Sequence, residues 1–254
     1  MTRALRSEWI ALTTTRALLG HLLAAVVLGL LPLLILPVVA QQDVSGPGVP
    51  DLATEAGQAS LLTTASTTLL LAAILGAVVS TRRHRHRTAV AQLLVTPRRS
   101  VAASTQLVVL LGAGALLGLV GAGVSLAATV GGLALVGESL AVGGDLLLRL
   151  VLGGVAAGMV GAALGDGVGE LLRSSGAAIA VIVVLLFLVE GLVGAFLPEV
   201  GRWLPSTLLT SLQLGDAAPS PDPVGDGPAI TALAALVVAS AAAAVMSTAR
   251  RDAL

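Results

Sequence analysis

Three groups of residues in this 254-residue chain have the type and spacing to do chemistry. The first is basic. Arg82, Arg83, Arg85, Arg87, Arg98 and Arg99, with His84 and His86, crowd into residues 80–106. The chain has no lysine, so six of its fourteen cations sit in that one stretch. Such a patch is suited to meeting a partner of opposite charge, whose association it would steer. The second is a lone acid, Glu190, inside the apolar run FLVEGLV. A carboxylate in hydrocarbon costs on the order of 2.5–3.5 kcal/mol, so it must face protein, where it can touch substrate, carry a proton or gate by a hydrogen bond. It can equally tie helices together, through a hydrogen bond or a pair with Arg149. The third is a set of hydroxyls. Thr64 and Thr67 share one helical face, which Ser60 extends. Hydroxyls at membrane depth either bond to their own preceding turn or line a substrate-facing cavity.

Bond-breaking chemistry finds no support. There is no cysteine, hence no disulfide, zinc–thiolate or iron–sulfur site. The phosphate-binding pattern G-x-x-x-x-G-K-[ST] requires a lysine that the chain lacks. His84 and His86 are two residues apart, poor spacing for one metal on a helix, and read as part of the cationic surface. No G-x-S-x-G elbow or H-E-x-x-H pair occurs. The expectation is a chain with no catalytic residue, no metal ligand and no bound cofactor. A net charge of zero also gives no basic field for nucleic acid.

The elements that must position these groups are membrane spans. Hydrophobic residues make up 56% of the chain and charged residues only 11%, against roughly 25% charged in soluble domains. The reading is a single all-α transmembrane domain over 1–254. Its spans fall at 17–40, 61–79, 101–124, 146–164, 176–197 and 229–246. Residues 2–16 form an amphipathic helix in the interface, with Glu8 on it and Trp9 at headgroup depth. The basic loop is 80–100, a polar connection 165–175 carries Asp166, Glu170 and Arg173, and a Pro- and Gly-rich loop covers 198–228. Arg149 lies one turn inside its span and can snorkel. Gly114 with Gly118, and Gly154 with Gly158, have the spacing that lets helices pack closely within the bundle. Six spans put both termini on one side. With the termini inside, twelve of the fourteen arginines are cytoplasmic, leaving Arg149 and Arg202 outside. That bias orients the protein with its termini and basic loop in the cytosol.

Read together, the motifs resemble those of ABC-2 type transporter permeases. LRSEWIALTTTRALL is similar to the family's opening L-R-x-E-W-x-K-L-x-T-T-R at Leu5, Arg6, Glu8, Trp9, Leu12, Thr14, Thr15 and Arg16. The basic stretch resembles E-Y-R-x-G-T followed by L-L-x-T-P-R-R at Arg85, Thr88, Leu93, Leu94, Thr96, Pro97, Arg98 and Arg99. The turn LLRSSGAAIA looks like the family's L-R-x-x-x-x-A. The chain departs from the pattern at Arg83, Arg87, Ala11 and Ser104.

The resemblance implies the membrane-spanning subunit of an ATP-binding cassette exporter in a bacterial plasma membrane. ATP and magnesium would sit on a separate ATPase subunit docked at Arg83, Arg85, Arg87, Thr88, Thr96, Pro97, Arg98 and Arg99. A helix over 89–96, ended by Pro97, would present that surface. A second permease chain, identical or related, would complete the path, for which Glu190, Thr64 and Thr67 are the candidates. The cargo class stays open among small molecules, peptides and lipids. The competing readings are an ion-coupled secondary transporter using Glu190 and a membrane anchor or assembly protein without transport.

Overall fold

The computed structural model describes residues 2–14, 16–41, 51–85, 99–218 and 222–251. Most of these residues are helical, with no strand among them, and six helical stretches are long and apolar enough to cross a membrane. The chain is an all-α, multi-pass membrane protein, as its apolar periodicity leads one to expect. In lipid a backbone must satisfy its own hydrogen bonds, which helices do.

An amphipathic helix, α1 (Thr2–Thr14), opens the fold. The first span is built from α2 (Arg16–Gly29) and α3 (Leu31–Gln41), and the second from α4 (Glu55–Leu62) and α5 (Ala65–Arg85). Helix α6 (Arg99–Val136) supplies the third and α7 (Gly144–Leu172) the fourth. The fifth runs through α8 (Ser175–Val183), a π-helical stretch Val184–Val189 and α9 (Glu190–Phe196). Two shorter helices, α10 (Pro198–Gly201) and α11 (Pro205–Leu214), precede the sixth span, α12 (Asp226–Arg251).

Helix α7 is the axis of the bundle, packed against α5, α6, α11 and α12. Its glycines make this possible. A Cβ on Gly158 would lie 1.9 Å from the Gly114 carbonyl oxygen, and one on Gly118 would lie 2.1 Å from that of Gly154. On its other side, a Cβ on Gly165 would lie 1.9 Å from the Ala73 oxygen of α5. The small-residue spacings therefore seat α5 and α6 on α7 within one chain, backbone against backbone. The outer spans differ: the fifth span and α12 leave Phe187, Leu188, Phe196 and Val238 exposed, as lipid-facing helices do.

Several sequence boundaries need correction. The third span extends over 103–136 and the fourth over 144–172, beyond the expected 101–124 and 146–164. The expected connection 165–175 is therefore mostly helix. Its glycines pack against neighbours and do not break the chain, and the turn comes only at Arg173, with φ of 54° and its N–H bonded to the Gly169 carbonyl. The stretch 198–228 is not simply a loop. Pro198 and Pro205 stand at first helical turns, where a missing N–H is harmless, and start α10 and α11. Leu208 and Leu209 of α11 are buried among Ala65, Leu69, Ala157 and Leu233.

Two spans are broken. The first breaks at Leu30, ahead of Pro32, which has no N–H to give to the Leu28 carbonyl one turn earlier. The second breaks at Thr63 and Thr64, with neither proline nor glycine there; Thr63 is extended at φ −67° and ψ 123°. The buried side chain of Gln213 on α11 replaces the lost helical bonds. Its Oε1 accepts from Thr63 Oγ1 at 2.5 Å and from the Ala65 N–H at 3.1 Å, while its Nε2 donates to the Leu150 carbonyl at 3.1 Å.

Candidate functional site

The basic segment leaves the bundle at the end of α5 and returns at the start of α6. Arg83 and Arg85 fall in the last turn of α5 and Arg99 begins α6. Arg87, Thr88, Thr96, Pro97 and Arg98, with the helix expected over 89–96, lie outside the described residues.

What fastens the base of this segment is Asp166, a residue assigned from sequence to a connecting turn. It lies in α7, with 3% of its surface exposed. Its Oδ1 accepts from Ser80 Oγ on α5 at 2.5 Å and from Gln106 Nε2 on α6 at 2.5 Å. Gln106 Nε2 also lies 3.1 Å from Ser80 Oγ, closing the triangle. Beside it, Thr81 Oγ1 is 2.7 Å from Ser175 Oγ at the start of α8, and Ser247 on α12 donates to the Glu170 carbonyl at 2.9 Å. One buried carboxylate thus joins the helices entering and leaving the basic segment to the axial helix. Its signal in the sequence was an acid between glycines, GDG, at the end of a small-residue stripe; glycines there suggested a turn when they serve close packing.

Glu190 lies where the sequence placed it, inside the fifth span and 7% exposed. Its partner is Ser206 on α11, whose hydroxyl donates to Oε2, while Oε1 is buried without a hydrogen-bond partner. The expected alternative of a pair with Arg149 does not form. Arg149 bonds both carboxylate oxygens of Asp226 and reaches the Leu212 carbonyl at 3.4 Å. That half-exposed pair borders a cavity of about 420 Å³ with Ser211, Asp216 and Gly225. The Glu190 N–H bonds to the Leu185 carbonyl, five residues back, so the carboxylate follows directly on the π-helical stretch. Single π turns inside α-helices are frequent at functional sites.

Thr64 and Thr67 do meet in a cavity. A cleft of about 220 Å³ lies between the first, second and third spans, with Ser60, Thr63, Thr64, Thr67, Thr68 and Ser125 among its lining residues. Thr67 is exposed at its rim, and the Thr64 hydroxyl is buried with no partner. Glu190 is not among the lining residues, so the proposed path residues divide between two places.

In α1, Leu12 is buried with Leu18, Val109 and Leu110, and Leu5 packs on the same cluster. Trp9 is 43% exposed, leaving its ring available at the edge of the bundle, and Glu8 is half-buried. Among the described residues, no three His, Cys, Asp or Glu side chains converge as a metal site would need. No family model matches the chain, and no characterised relative matches it either.

Proposed function

We propose that this chain is the membrane-spanning permease subunit of an ATP-binding cassette exporter in a bacterial plasma membrane. Its termini and basic segment would face the cytosol, following the twelve-to-two arginine bias. A separate ATPase subunit, holding ATP and magnesium, docks on the segment from Arg83 to Arg99, and a second permease chain completes the path. The observation that carries the reading is the Asp166 joint, where the helices flanking the cationic segment are bonded to one carboxylate of the axial helix. A push on the docking segment would pass through Ser80 and Gln106 to α7, and so into the bundle. Coupling of this kind needs contiguous packed elements, which α5, α6 and α7 supply.

The test is affinity purification of the tagged chain from its own membranes in mild detergent. An ABC ATPase is expected at stoichiometric level; its absence from well-folded preparations would refute the proposal. A second reading, an ion-coupled transporter, draws on the partnerless Oε1 of Glu190. It predicts transport driven by an ion gradient with no ATPase present.

A further inference from the structure

The cleft between the first three spans has a composition that selects its ligand. Six serine and threonine residues line it, together with apolar Leu28, Leu31, Ile35, Leu61 and Leu71, and no ionisable side chain is among the lining residues. Both broken spans border it. The first contributes Leu28, Gly29, Leu31 and Pro32, on either side of its break; the second contributes Thr63 and Thr64, at its own. Discontinuous helices meeting at one cavity are how membrane bundles offer polar groups to a ligand at depth. Thr68 and Ser125 are buried along it, 5% and 2% exposed, and a buried hydroxyl without a hydrogen bond is costly unless a ligand or water completes it.

We infer that this cleft binds an uncharged amphiphile whose head carries hydroxyl or ester groups and whose acyl chain lies along the apolar wall of the first and second spans. A charged headgroup would have to leave water without a counter-charge, a large penalty. A purely apolar ligand would leave the hydroxyls of Thr67, Thr68 and Ser125 against hydrocarbon. The space of about 220 Å³ suits a glycerol-sized head with the first part of one chain, the remainder leaving past exposed Thr67. The inference concerns the contents of the cleft and needs no ATPase partner.

The experiment uses the full chain in phosphatidylcholine nanodiscs with a trace of monoacylglycerol bearing a diazirine on its acyl chain. After photolysis, label is expected on residues 28–35 and 60–71, and excess unlabelled monoacylglycerol should suppress it. Lysophosphatidylcholine of the same chain length, which carries charges, should not. Thr68→Val should weaken labelling about fivefold, the loss of one net hydrogen bond, without lowering the melting temperature. Thr67→Trp, at the exposed rim, should block labelling. Native mass spectrometry of freshly extracted protein separates the ligand's sources, and both support the assignment. A retained neutral lipid marks a resident of the bilayer, and an empty cleft that fills with added monoacylglycerol marks a mobile ligand. Label spread evenly over the lipid-facing spans, or unchanged in both variants, would overturn it. That failure would leave the ATPase co-purification standing or falling by itself.

Discussion

Two buried carboxylates stand in contrasting surroundings. Asp166 sits on the axial helix between two backbone-tight neighbours and accepts bonds from α5 and α6 on a single oxygen. Glu190 sits on the fifth span at the edge of the bundle, bonded to Ser206 through one oxygen while the other is buried without a partner. The centre of the bundle is therefore held by three polar side chains bonded to one another, whereas Glu190 is held by Ser206 alone. Dense polar networks rigidify the elements they join; a lone bond at a helix irregularity leaves room for movement.

The largest effect should come from breaking the centre. Asp166→Leu leaves Ser80 and Gln106 facing apolar surface, and should cost about 3 kcal/mol, read as a fall in melting temperature in mild detergent. Gln213→Leu removes the bonds that bridge the break in the second span, and should cost about 2 kcal/mol. It should also increase labelling of a cysteine placed at Thr63. Next comes Arg98→Glu with Arg99→Glu, which should weaken ATPase association about tenfold, since charge reversal on a docking surface replaces attraction by repulsion. Insertion of that variant is checked by its level in the membrane. At the fifth span, Glu190→Leu strands one hydroxyl and should cost about 1 kcal/mol. Glu190→Gln, which keeps the shape and a bond to Ser206, should change stability by no more than about 0.5 kcal/mol and retain transport. Transport lost in Glu190→Gln at unchanged stability would turn the comparison round and favour the ion-coupled reading.

The sequence displayed one of these carboxylates and concealed the other. Glu190 stood out because it interrupts a long apolar run, and its depth was legible from that run alone. Its partner was not, because Ser206 lies in a stretch whose prolines read as loop while they in fact start α10 and α11. Asp166 was hidden by its own neighbours: GDGVGE has the composition of a turn, and only contact with α5 and α12 shows why glycines are needed in a helix there. The number and order of the spans followed from the apolar runs, but their ends did not: α6 continues through SLAATVGGLALV to Val136, and α7 through GDGVGE to Leu172. Thr64 and Thr67 were chosen for their shared face and do border one cleft. The break beside them left no proline or glycine to read; it is held by Gln213, 150 residues from Thr63 in the chain.

The central claim is that the basic segment receives an ATPase and that Asp166 carries its action into the bundle. It is tested most directly by measuring ATP hydrolysis of the co-purifying ATPase with wild-type chain and with Asp166→Asn, which preserves size but weakens the joint. The account predicts that the variant still binds the ATPase while the rate it supports falls to that of the ATPase alone. An identical hydrolysis rate with both chains, or no ATPase bound to either, would contradict it.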